Sequence, residues 1–165
     1  MRVLGIDTAL RCTGLGVVER SGLRWRAVDY GLVRNGPKLR HSECLFRLQE
    51  GVREFIARTK PDAVALEGVF FARNPNTAML LGEARGAVMA AVTTLGLPLF
   101  EHAPRRVKQA VVGFGGAGKE QVGLMVKRLL ALAEVPPPDA ADALAIAICH
   151  LQAQGPVAAL QDLRL

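Results

Sequence analysis

Four carboxylates stand where this chain could do chemistry: Asp7, Glu67, Asp139 and Asp142. Asp7 and Glu67 each close a short apolar run, VLGID and DAVALE. Asp139 and Asp142 sit three residues apart at the start of an apolar stretch, DAADALAIAICH. An acid set beside a buried segment costs energy unless something compensates it. A set of hard oxygen ligands with no His or Cys at metal spacing favours Mg²⁺ or Mn²⁺ over Zn²⁺. Two such ions about 3.5–4 Å apart clamp the attacking and leaving oxygens of an in-line phosphoryl displacement, with water as nucleophile. If the four converge, the chemistry within reach is therefore metal-dependent phosphoryl displacement by water.

Each acid also has an ordinary reading. Asp7 suits an Asx-turn after a strand, and Glu67 a strand end turning into solvent. Acids in a first helical turn complement the macrodipole, at ~0.3–1 kcal/mol each. The i, i+3 spacing of Asp139 and Asp142 does put both on one helix face. The rest of that helix is apolar, so its first turn faces the protein. Convergence of all four is possible on these grounds and is not demanded by them.

The elements that must position these residues follow from pattern. Residues 2–8 read as a buried strand and residues 12–19 as a second, with Ser21-Gly22 as a hairpin signal before LRWRAVDYGLV. Helical periodicity runs from His41 to Thr59 through Leu45, Leu48, Val52, Phe55 and Ile56. Short strands are expected at 63–67 and 97–101, and helices at 76–95, 104–112, 119–132 and 139–153. Three antiparallel strands followed by alternating strands and helices predict an α/β fold, a mixed sheet with helices on both faces.

The chain has 165 residues, half of them hydrophobic, enough for one globular domain with a real core. Its 21 basic and 15 acidic residues leave a net charge of +6, and acids committed to metal would leave the remaining surface more basic still. That balance suits a polyanion partner such as nucleic acid. Cys12, Cys44 and Cys149 are scattered and odd in number, which argues against a disulfide framework and fits a reducing cytosol. No leader segment and no membrane span are expected.

Four ordered motifs, LGIDTALRCTGLGVV, ALEGVFFARNPNTAMLLGEARG, VKQAVVGFGGAGKEQV and DAADALAIAICH, span roughly residues 2–153. In these the chain resembles the RuvC family of Holliday-junction resolvases. The resemblance implies a ribonuclease H-like fold, with a five-stranded mixed sheet flanked by helices on both faces, and a nuclease domain over 1–153 followed by a short tail, 154–165. It implies that Asp7, Glu67, Asp139 and Asp142 form an acidic tetrad that is both catalytic and metal-binding, with Mg²⁺ (or Mn²⁺), two ions per site. Phe70 matches an aromatic that stacks on bases near the cut, an interaction worth ~1–3 kcal/mol. Lys108 and Lys119 match lysines that approach the scissile DNA, and Arg73 is a further candidate phosphate contact. Asn74 and Arg85 match motif positions without a firm role. The implied activity is a crossover junction endodeoxyribonuclease acting in recombination and repair. It would nick two strands of a four-way junction symmetrically, leaving 5′-phosphate and 3′-hydroxyl ends. The implied setting is a cytoplasmic homodimer, its long helix from Asn76 at the interface, working with the RuvA and RuvB branch-migration proteins. A related nuclease of other branched or hybrid nucleic acid, or a non-catalytic junction-binding module, are the alternatives.

Two motifs point elsewhere. Gly113–Lys119 satisfies GxxxxGK, but Glu120 stands where a Walker loop needs Ser or Thr, and no strand is expected before it. The GID start is similar to that of sugar kinases, actin and Hsp70-type ATPases, which enclose nucleotide between two lobes; a chain of this length supplies one.

Overall fold

A computed structural model describes residues 1–68, 74–154 and 165. Phe70 and Arg73, and the tail from 155 to 164, lie outside the described residues. The strands are β1 (Arg2–Asp7), β2 (Cys12–Ser21), β3 (Arg24–Arg34), β4 (Ala63–Glu67) and β5 (Leu99–His102). The helices are α1 (His41–Thr59), α2 (Pro75–Thr94), α3 (Pro104–Val112), α4 (Lys119–Leu129) and α5 (Pro138–Ala153). The sheet order is β3-β2-β1-β4-β5. β1, β2 and β3 pair antiparallel, whereas β4 runs parallel to β1 and β5 parallel to β4.

The predicted elements are all present, with shifted ends. β5 starts at Leu99 because Pro98 has no N–H to give a ladder and contributes only its carbonyl, to the Val64 N–H at 2.9 Å. α4 stops at Leu129 rather than 132, since Ala131 takes a left-handed conformation (φ 50°) and the Leu132 N–H turns back to the Lys127 carbonyl.

Strand alternation divides the core in two. On one face, Leu4, Ile6, Leu15, Val17, Val64 and Leu66 pack against α1 and α2 residues such as Leu48, Val52, Ala84 and Val88. On the other, Val3, Val18 and Ala65 pack against α3, α4 and α5. From Ala140 to Leu151 every α5 residue except Asp142 is buried.

α5 approaches the sheet more closely than side chains would allow. A Cβ on Gly5 would lie 1.9 Å from the Ala143 carbonyl oxygen, and one on Gly14 1.9 Å from that of Asp139. Gly5 pairs with Gly16, and Asp7 with Gly14, across the β1–β2 ladder. The glycines of LGID and TGLG therefore form a trough in which α5 lies backbone against backbone. Parity then decides where the acids go. Asp7 is two residues beyond Gly5 and Glu67 two beyond Ala65, so both belong to the face that α5 covers.

Candidate active site

β1 and β4 pair in parallel up to Ile6 and Leu66, so Asp7 and Glu67 leave the sheet side by side. The turn after Asp7 is pinned by Thr13, whose buried hydroxyl donates to the Ala9 carbonyl (2.5 Å) and accepts from the Ala9 N–H (3.1 Å). Pro138 opens α5 at a position where its missing N–H costs nothing. That opening brings Asp142 over the ends of β1 and β4.

Asp7, Glu67 and Asp142 line one cavity of about 220 Å³ together with Lys108, Lys119, Pro104, Val107 and Val122. Lys119 opens α4, and its Nζ lies 3.1 Å from Asp142 Oδ2. The preceding Gly118 donates its N–H to Gln121 Oε1 at 3.0 Å, which squares off the helix start. Asp139 stands apart from the cavity lining, on the β2 side: its carbonyl lies over Gly14, and its carboxylate is beside Cys12. Five of the predicted site residues thus share a cavity, Asp139 is not among its lining, and Phe70 and Arg73 fall outside the described residues. Arg106 lines a different cavity, with Gln109, Cys149 and Gln152. The glycine-rich loop joins α3 to α4, so it has no strand before it and is no phosphate-binding Walker loop.

The electrostatics of the site are those of acids held together without enough positive charge. Burial, then Asp142, Glu67 and Asp139, push the Asp7 carboxyl up to about 7, with only Lys119 opposing. Burial and Asp142 raise Glu67 as well, against Lys108 and Lys119. The hydrogen bond and charge of Asp142 hold the Lys119 ammonium above its ordinary range. Among the described residues, no three His, Cys, Asp or Glu side chains are gathered tightly enough to hold an ion as they stand. The donor set nonetheless fits a hard divalent cation: carboxylate oxygens only, under mutual repulsion that a dication would relieve.

A second buried polar group lies beneath the site. His102 Nε2 is 3.0 Å from His150 Nδ1, both side chains are fully buried, and the His150 ring packs tilted against Phe100 with centroids 4.4 Å apart. Burial lowers both to about 4, and for His102 the neighbouring His150 and Arg106 add to it. The unfolded chain takes up these protons near pH 6.5 and the folded one only near 4, so stability is intact above 6.5 and is lost as pH falls through that window. Asp7 and Glu67 act in the opposite sense over much of the same range, so a variant carrying both Asp7→Asn and Glu67→Gln isolates the histidines. Its melting temperature should fall steadily from pH 6.5 to 4; a flat profile by circular dichroism would mean the pair is not held neutral.

Sequence reasoning missed Cys12 near the site and left Arg85 without a role. Cys12 adjoins Asp139, and Arg85 reaches from α2 to the Glu67 carbonyl at 2.7 Å. A signal for the second was available: Glu83 and Arg85 are the only charges in the 20 residues of α2.

Known proteins share both this sequence and this architecture. The family model described as crossover junction endodeoxyribonuclease RuvC matches residues 3–150. A crossover junction endodeoxyribonuclease RuvC from Geobacter metallireducens is 47% identical over 164 residues, covering 99% of this chain and 100% of that protein. The structure of Thermus thermophilus RuvC in complex with a Holliday junction substrate superposes with a TM-score of 0.85 at 41% identity, over 92% of this chain and 93% of that one. The yeast mitochondrial Holliday junction resolvase Ydc2 shares the fold alone, at a TM-score of 0.64 and 10% identity over 89% of this chain and 77% of that one. The five-stranded mixed sheet with helices on both faces is thus the ribonuclease H-like resolvase fold, and the chain belongs to the RuvC family of crossover junction endodeoxyribonucleases.

Proposed function

We propose that this protein resolves Holliday junctions by metal-dependent, symmetric nicking of two strands, each cut leaving a 5′-phosphate and a 3′-hydroxyl. The observation that carries the reading is the meeting of Asp7, Glu67 and Asp142 with Lys108 and Lys119 in one cavity. Asp7, Glu67, Asp139 and Asp142 are assigned the metal, Mg²⁺ or Mn²⁺ and two ions per site. Bound there, the ions would activate a water and stabilise the departing oxyanion. Among the described residues the cavity wall offers no Ser, Thr, Cys, Tyr or His, which leaves water as the attacking group. Lys119 neutralises Asp142 in the metal-free protein, and its exposed ammonium is available to a DNA phosphate once that duty passes to a cation. Lys108 faces Glu67 and would hold a phosphate from the α3 side. Phe70 and Arg73 complete the assigned DNA contacts on the strength of the motif.

Two copies acting on a substrate with two-fold symmetry would give paired cuts. α2 supports a dimer: it is apolar nearly all round, yet Met79 is 58% and Leu80 37% exposed in the single chain. No helix among the described residues is long and apolar enough to cross a membrane. We assign residues 1–153 to the nuclease domain and 154–165 to a tail, place the protein in the cytoplasm, and expect RuvA and RuvB as partners.

The test is an end-labelled four-way junction incubated with protein and Mg²⁺ beside a linear duplex and an RNA–DNA hybrid. Paired nicks at symmetric positions on the junction alone are expected. Cutting of hybrid or duplex in preference would keep the metal site and discard the junction assignment. Junction binding with no cutting under any divalent ion would leave a structural module.

A further inference from the structure

Arg85 sits on α2, behind the sheet as seen from the cavity. Its guanidinium forks: Nη1 donates to the backbone carbonyl of Glu67 at 2.7 Å, and Nη2 pairs with a carboxylate oxygen of Glu101. Glu101 is on β5, opposite Leu66 in the parallel ladder, and so on the α2 face. Its other carboxylate oxygen rests on Gly68, where an added Cβ would come within 2.8 Å of it. The Gly68 N–H in turn donates to the His102 carbonyl at 2.8 Å. The chain leaving β4 is therefore held at three successive points: the Glu67 carbonyl by Arg85, the Gly68 Cα against Glu101, and the Gly68 N–H by β5.

An arginine this enclosed, with its side chain 13% exposed, is costly unless every donor has work. The work it has is local to Glu67. The cations that oppose the rise in the Glu67 pKa are Lys108 and Lys119, in front of the sheet. The contact Arg85 makes with that residue is to the carbonyl. Charge tuning is thus done from the cavity side, and backbone restraint from the rear.

We infer that Arg85 and Glu101 are a positioning pair that fixes the end of β4 and so aims the Glu67 carboxylate into the acidic cavity. The inference rests on the reading of that cavity as a metal site. A planar, two-pronged guanidinium suits the task because it can hold a carbonyl and a carboxylate in one rigid geometry, which an ammonium cannot. Because α2 also carries the exposed Met79 and Leu80, a shift of that helix would reach the Glu67 carbonyl through this side chain.

The experiment compares the parent with Arg85→Met, Arg85→Lys and Glu101→Gln. Three quantities are read: Mn²⁺ binding without DNA, followed by the electron paramagnetic resonance of the free ion; junction affinity without divalent ions; and single-turnover nicking. Arg85→Met should weaken Mn²⁺ binding roughly tenfold, as loss of a group that orients a ligand does, and slow nicking by up to about 10²-fold through misplacement alone. Junction affinity should stay at the parent value. Arg85→Lys should fall between the two. If Arg85→Met does not fold, Glu101→Gln keeps shape and volume and should reproduce the weakened Mn²⁺ isotherm. Folded variants with parental Mn²⁺ binding and nicking would overturn the inference. So would a loss of melting temperature and junction affinity with Mn²⁺ binding intact, because that would be a purely structural role. A parent that binds Mn²⁺ and leaves junctions uncut would retire the resolvase reading while the isotherms still judged the pair.

Discussion

Asp7→Asn should abolish junction nicking, by roughly 10³-fold or more, and at the same time make the metal-free protein melt higher at pH 8. The two effects have one cause. Asp7 is enclosed beside Asp142, Glu67 and Asp139 with too little positive charge to balance it, which is why its carboxyl is pushed up to about 7. For an acid whose folded value is raised from 3.8, the penalty is absent below 3.8 and grows as pH rises to about 7. Above that it is complete, on the order of 2–4 kcal/mol before any relaxation of the site. Asn keeps the shape and removes the charge, so the penalty disappears together with the metal ligand.

The pH dependence and the metal dependence of melting check this from two directions. The advantage of Asp7→Asn over the parent should be largest near pH 8 and shrink towards pH 4. Mg²⁺ should raise the melting temperature of the parent more than that of the variant, since only a ligand-competent native state gains by binding. Junction binding should be retained or improved, because the DNA loses one negative neighbour. Nicking within a few-fold of the parent would remove Asp7 from the site altogether. A variant that melts lower at pH 8 would show that the acid has a favourable partner the geometry does not contain.

How much of this could be read beforehand differs from residue to residue. Asp7 and Glu67 were visible as acids ending apolar strands, and period-two alternation settles which face each takes once a core face is known. What no local pattern sets is that β4 lies parallel to β1 and next to it. That pairing joins residues some sixty positions apart, and it came only with the whole-chain resemblance. Asp139 and Asp142 were legible as one helix face, yet they do not share one environment. α5 straddles β1 and β2, so Asp139 in its first turn faces Cys12 over β2 while Asp142, three residues on, faces Lys119. The glycines of TGLG leave room for close backbone approach without naming what approaches. Arg85 was the least legible, because its role depends on a carbonyl and a carboxylate from two other strands, and nothing in the spacing of EARG refers to either.

Gly5→Ala is expected to cost more stability than any other single methyl added to this protein. Most overpacked side chains escape by rotating, but here the obstruction is backbone. The new Cβ would sit 1.9 Å from the Ala143 carbonyl oxygen and 2.7 Å from the Ala147 nitrogen, both inside α5. Neither atom can move without the helix, and the helix cannot lift without uncovering Leu144, Ile146, Ile148 and the residues they touch on α3 and α4. Overpacking in cores commonly costs ~1–3 kcal/mol where side chains can yield. Here yielding means separating a helix from its sheet, so a loss of about 4 kcal/mol or more is expected, a fall of ~8–16 °C in melting temperature for a chain of this size. Gly14→Ala offers the informative contrast. It meets the Asp139 carbonyl in the first turn of the same helix, where one turn can tilt without lifting the rest. It should cost less stability than Gly5→Ala and more metal affinity, because the turn that tilts carries Asp139 and Asp142. Thermal melts of both variants with and without Mg²⁺ separate the two effects. Equal melting of Gly5→Ala and parent would mean that α5 does not lie in the glycine trough, and the placement of both helix acids would fall with it.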